Sequence, residues 1–212
     1  MTTIQNIISN YKENLARLNS SRTNFEIVIN SDWDTIDNDL RIIYCGDNPG
    51  KKEKEENKYF VGASGKELQS FVTIHNKRLG INNNEFVFFN KTPFYSDRTT
   101  YITKDMDSDK LIYTSIKMTV NCLYEIWDAI KIPIVILGIN EQSYIVKTFK
   151  EIIVSDKKYS TFLADLTILN HPSHNSLSAA FGKFLLDNFN NQEEVNNLKY
   201  TDLINGVKKN WL

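Results

Sequence analysis

The chain has 212 residues, 41% of them hydrophobic and 24% charged, enough apolar material for one well-buried core. A net charge of −1 and a pI near 6.3 argue against a histone-like or coating role on nucleic acid, which calls for a strongly basic surface. No stretch approaches the roughly 18 consecutive apolar residues of a membrane helix, and MTTIQNIISNYKEN lacks the basic-then-apolar layout of a secretion signal, so a soluble, cytoplasmic protein is expected.

Ile4, Ile7, Ile8, Tyr11, Leu15 and Leu18 recur at helical spacing and predict a leading amphipathic helix. Four short apolar runs follow, each succeeded by a helical pattern. LRIIYC (40–45) precedes a helix beginning near Ser64. Between them, the mixed-charge run KKEKEENK (51–58) reads as a solvated loop whose Lys51, Lys52, Lys54 and Lys58 can face an anionic partner. EFVFFN (85–90) precedes a long loop carrying Arg98 and Lys104, then a helix through SIKMTVNCLYEIWDAI. PIVILG (133–138) precedes a helix around EQSYIVKTFK, and LTILN (166–170) one around SAAFGKFLLDNF. Strands alternating with helices predict an α/β fold: a three-layer α/β/α sandwich with a central, mainly parallel four-stranded sheet, the whole chain (1–212) forming one domain.

The polar residues fall at the ends of those strands. GDNPG (46–50) follows the first, Asn90 and Lys91 end the second, Gly138 and Asn140 the third, and His171 the fourth. Ligands of open α/β sheets bind where the carboxyl ends of the strands converge, so one site built from across the chain is expected there.

Several chemistries are excluded or weakened by spacing. FVGASGKEL (60–68) lacks the glycine gap and the hydroxyl of a phosphate loop. It reads instead as a turn in which Ser64 caps the next helix and Glu67 completes a capping box, with free helix amides able to receive a phosphate. His171 and His174 have no evident third and fourth metal ligands, so no metal is expected. Cys45 and Cys122 sit in apolar runs and read as buried small hydrophobes. There is no G-x-S-x-G nucleophile elbow and no G-x-G-x-x-G dinucleotide loop. Pro172 stiffens the turn after His171, which suits a positioned imidazole able to donate to a developing oxyanion. Two readings stand for Asn90: a cap on a buried strand end, or a carboxamide that reads a base edge once locked in orientation. Tyr59 and Phe60 likewise read as core or as a stacking platform for a flat ring.

In this order, GDNPG, YFVGASGKEL (59–68), FFNK (88–91), VILG (135–138) and NHPS (170–173) resemble the motifs of the uracil-DNA glycosylase superfamily over residues 40–190. The resemblance implies that Asn48 holds the attacking water and that His171 stabilises the departing base. It implies that Phe60 stacks on the base and Asn90 reads it. Asp47 stands where members vary; its backbone amide, or its carboxylate as well, is expected to border the base. An asparagine at position 48 is similar to the mismatch-specific and single-strand-selective branches rather than the uracil-strict one. Gly50 replaces a tyrosine that excludes a 5-methyl group in the strict branch, which implies an open side and tolerance of 5-substituted pyrimidines. Ser64, Lys66, Ser173, His174 and Leu177 are the implied DNA contacts. The family's proline and leucine wedge after HPS is missing here, leaving Leu177, His174 or neither to fill the gap of an extruded base.

The expectation is therefore a monofunctional DNA glycosylase, monomeric and without metal or cofactor, that flips uracil or a related altered pyrimidine and hydrolyses its N-glycosidic bond. Its partner is DNA and not a membrane. The alternatives are a glycosylase for a bulky modified base such as those of phage DNA, an inactive DNA- or base-binding member of the same fold, and a nucleotide hydrolase.

Overall fold

The computed structural model describes residues 3–19, 26–96, 106–138, 142–172 and 176–188, with 204, 205, 207 and 208 near the end; for 74, 75, 78, 79 and 106–109 it describes the backbone alone. Arg98, Lys104, Asn140, Ser173, His174 and the side chain of His75 lie outside the described residues.

Four strands form the sheet: β1 (Ile42–Gly46), β2 (Phe86–Asn90), β3 (Ile134–Leu137) and β4 (Thr167–Leu169). All neighbours pair in parallel, in the order β2-β1-β3-β4. β1 and β3 are buried along their whole length, which is why they read as continuous apolar runs rather than alternating ones. Alternation survives in which face each residue serves. The Tyr44 hydroxyl donates to Asn76 of α3 (Ala63–Leu79), while Phe89 lies against Tyr11 of α1 (Thr3–Asn19).

Helices cover both faces. α1 buries Ile4, Ile8, Tyr11, Leu15 and Leu18 and packs on α4 (Met106–Ile130), where the Tyr11 and Thr119 hydroxyls share a 2.7 Å hydrogen bond. α4 in turn packs on α5 (Tyr144–Ser155) and α6 (Ser160–Asp165). On the opposite face, α3 pairs with α7 (Ser176–Asn188): the Phe71 and Phe181 rings lie 5.2 Å apart. The fold is thus the expected α/β/α sandwich on a four-stranded parallel sheet. Among the described residues, no helix is long and apolar enough to cross a membrane.

Two local expectations need correction. KKEKEENK is not a loop over its first part, because Lys51–Glu56 forms a helix, α2. Lysine and glutamate are good helix formers, and Lys51 and Glu55 pair at i,i+4 across 4.0 Å. The α3 capping box is not made either. Gly62 is the N-cap, with no side-chain bond to the first turn, and Ser64 lies inside that turn. Glu67 instead reaches α7, where Oε1 accepts from both the N–H and the hydroxyl of Ser178, each at 3.1 Å.

The chain leaves β1 toward the α3 face and leaves β3 toward the α5 face, so the connections diverge between these adjacent strands. In open parallel sheets a divergence of this kind is where ligands bind, beyond the carboxyl ends of the strands.

Candidate active site

The parallel register places Gly46 opposite Asn90, and the pairing continues past both strands. The Lys91 amide donates to the Gly46 carbonyl at 2.8 Å, and that of Thr92 to the Asp47 carbonyl at 3.2 Å. This ladder lays the GDNPG turn against the end of β2. The turn is then tied to the following segment, where the Ser96 amide donates to the Pro49 carbonyl at 3.2 Å. The Asn48 carboxamide is oriented by two carbonyls on its nitrogen: Nδ2 donates to Pro49 at 3.1 Å and to Ser96 at 3.3 Å. Two acceptors on one atom settle which end of the amide is nitrogen.

Phe60, Gly46 and Asn90 meet at one point. A Cβ on Gly46 would come within van der Waals overlap of both the Phe60 ring and Asn90 Oδ1. Phe60 has a φ of +58°, a conformation that costs a non-glycine residue about 1–2 kcal/mol. Its backbone is held there by a hydrogen bond from Gln69 Nε2 to its carbonyl, 3.2 Å long. Gly65 sits beneath that carbonyl, and a Cβ at this position would fall 1.8 Å from the oxygen. The ring rests against Phe88 with centroids 5.0 Å apart and is 6% exposed. Tyr59, by contrast, is core: its hydroxyl donates to the Val28 carbonyl at 2.8 Å and its ring packs edge-on against Trp33. Asn90 is 4% exposed, and among the described residues its carboxamide makes no hydrogen bond, so the strand-cap reading loses its support.

His171 ends β4 in a loop fastened at both sides. The Ser176 hydroxyl donates to the His171 carbonyl, and Asn170 Nδ2 donates to the Ser176 carbonyl at 3.3 Å. Burial pushes the imidazole below the ordinary histidine value; Asp47 opposes this, Lys91 reinforces it and Glu67 opposes it more weakly. The imidazole is therefore neutral at neutral pH, with one N–H to donate.

Ser64 is half-buried and Lys66 exposed in the first turn of α3. Lys51 and Lys52, exposed in the first turn of α2, carry charge on the segment that follows the GDNPG turn. Among the described residues, no group of three His, Cys, Asp or Glu side chains is placed to hold a metal ion.

Two expectations about the site need correction. Leu177, one of the two candidate wedges, is 1% exposed and packed in the core, whereas a side chain that enters a base stack must project from the surface. The side of Gly50 that lacks a Cβ is not open. The Glu53 carboxylate lies there, with Oε2 2.9 Å from where a Cβ would stand, and its Oε1 accepts from the Gly62 amide at 3.0 Å.

Lys91, named at a strand end but given no role by its sequence position, is the only buried charged residue among those described, at 0% exposed. Its ammonium contacts Asp47 Oδ1 at 2.6 Å and the Leu137 carbonyl at 2.5 Å. A lysine directly continuing an aromatic strand signals the need for a counter-charge, but only the parallel register identifies Asp47 as that partner. Glu53 and Glu67 were legible only as members of a charge run and a capping box.

A family model described as the Uracil DNA glycosylase superfamily matches residues 33–196, well over half of the chain. None of the curated proteins matches it. All four strands, the GDNPG turn, Phe60, Asn90 and His171 lie within the matched span, and the chain belongs to the uracil-DNA glycosylase superfamily.

Proposed function

We propose that this protein is a monofunctional DNA glycosylase that removes uracil, or a closely related altered pyrimidine, from DNA. Membership of the superfamily supports glycosylase chemistry on DNA in general. The observation that carries the finer reading is the oriented Asn48 carboxamide at the same sheet edge as a neutral, half-buried His171.

In this reading the extruded base enters beside Phe60, and the Asn90 carboxamide pairs with its edge: the oxygen accepts from N3–H of uracil while the nitrogen donates to O4. The bond from C1′ to N1 breaks and its electron pair stays on the base, with charge developing at O2. The N–H of neutral His171 donates to that oxygen, stabilising the leaving group without prior protonation. Water held by Asn48 forms the new bond to C1′. A carboxamide cannot take up the water's proton, so this proton passes to solvent after attack on an oxocarbenium-like centre, where positioning matters more than strong base catalysis. The products are free base and an abasic site. Glu53, lying where the glycine was expected to leave space, weakens the case for a bulky modified base.

The test is base release from labelled oligonucleotides carrying uracil single-stranded, opposite G and opposite A, then 5-substituted pyrimidines and hypoxanthine, with Asn48→Ala/His171→Ala as control. Release of uracil, lost in the control, is expected. DNA binding without release across the panel would replace this reading with an inactive base-binding protein, and turnover of free nucleotides alone would replace it with a nucleotide hydrolase.

A further inference from the structure

Lys91 stands one residue past β2 with its side chain wholly enclosed. Removing an ammonium from water costs several kcal/mol unless partners replace the lost hydration. Here the partners come from two other strand ends. Asp47 follows β1 and supplies a carboxylate oxygen at 2.6 Å; Leu137 is the last residue of β3 and supplies its carbonyl at 2.5 Å. The Phe149 ring of α5 faces the same ammonium, 5.9 Å from its centroid. The Asp47 carboxylate in turn presses on Gly138, where a Cβ would fall 2.9 Å from Oδ1 and where φ is +92°. One ammonium therefore joins the carboxyl ends of β1, β2 and β3.

Both neighbours of this pair in sequence are groups the proposed reaction uses. Asn48 follows Asp47 and Asn90 precedes Lys91. A shift of the pair moves both carboxamides, and displacements near 1 Å are enough to cost a reaction of this kind about a hundredfold.

We propose that Lys91 is a positioning residue of the site: paired with Asp47, it holds Asn48 and Asn90 in place and makes His171 face a neutralised ion pair instead of a bare carboxylate. This rests on the glycosylase reading for the roles of Asn48, Asn90 and His171, but the clamp and its field do not. Among the described residues, charged groups acting on His171 include Asp47 from the end of β1, Lys91 from the end of β2 and Glu67 from α3. With Lys91 neutralised, His171 faces two carboxylates, and its imidazolium persists to higher pH. With Asp47 neutralised, it faces the ammonium and sheds its proton at lower pH. A lysine whose charge did not reach His171 would not produce opposite displacements from the two halves of one pair.

The experiment is an NMR titration of the His171 ring in the full chain, its resonance assigned by its loss in His171→Ala, alongside single-turnover base release. The variants are Lys91→Met, Asp47→Asn and the double Asp47→Asn/Lys91→Met. The expected result is an upward shift of the titration in Lys91→Met, a downward shift in Asp47→Asn and a return toward wild type in the double. Base release should fall about tenfold to a hundredfold in each single variant, the range seen when groups that orient a site are removed. If either single variant leaves its partner too poorly compensated to fold, the other single variant and the double still give the sign of the effect. A His171 titration that does not move in folded variants, or moves the same way in both singles, overturns the proposal. Opposite shifts in a protein that releases no base would uphold the pair's hold on His171 while rejecting the glycosylase reading.

Discussion

Gly46 lies so close under Phe60 and Asn90 that a Cβ on it would fall 2.3 Å from Cζ of the ring and 2.8 Å from Oδ1 of the carboxamide. The last residue of β1 is thus the floor on which both groups rest. Gly46→Ala is expected to fold, because a ring edge and a side-chain amide can move, at a cost of about 1–3 kcal/mol for overpacking. Base release should fall by much more than that stability loss explains, since the groups that move are those proposed to meet the base. Urea unfolding and single-turnover release on the same preparation check this; a variant with normal turnover would separate the Phe60–Asn90 corner from substrate.

Asn48 Nδ2 donates to the carbonyls of Pro49, in its own turn, and of Ser96. Asn48→Ala should therefore cost about 1 kcal/mol of stability, the scale of one or two net hydrogen bonds. Release of base should drop by at least about a hundredfold, because water is no longer held in line. Unchanged turnover would remove Asn48 from the mechanism.

Neutral His171 gives a signed pH dependence. Burial lowers its pKa in the folded protein, so the unfolded chain binds the proton more readily. The stability linked to this group is full above the unfolded value of about 6.5 and is lost as pH falls through the folded pKa. Base release should fall along the same limb as the imidazolium forms. Release that rises on acidification through this range would mean that the protonated ring is the active form.

Cys45 is enclosed beside the Lys91–Asp47 pair, and burial pushes its thiol up to about 12; burial also raises the Cys122 thiol. Neither should form thiolate or react with Ellman's reagent in the native state at pH 8, and both should react after unfolding in guanidinium. A thiol that titrates at once in native protein would show that its strand or helix opens locally.

Leu177 offers a direct separation of packing from DNA contact. It is enclosed in the core at the start of α7, so Leu177→Ala should cost about 2–5 kcal/mol. The melting temperature should fall accordingly, while the ratio of release from double- to single-stranded uracil should hold at temperatures where the variant is folded. A selective loss on duplex DNA would restore Leu177 as a wedge.

The four strands, their succession and the sheet edge where the candidate side chains gather were legible from residue pattern alone. Runs such as IIYCG and IVIL are buried on both faces, and burial of that kind leaves a local apolar signature whatever surrounds it. The turn residues were legible for the same reason, since GDNPG is defined by its own backbone chemistry. Only the tertiary structure decided what the charged and amphipathic residues do. KKEKEE suits a helix as well as a loop, Glu67 could have capped its own helix but bonds Ser178, and Leu177, one of two candidate wedges, faces the core. Lys91 and Asp47 are 44 residues apart, and their pairing exists because a parallel register aligns two strand ends. A long-range contact of this sort has no local period to betray it; it follows from which chain segment closes over which, and that is settled by the packing of the whole sheet.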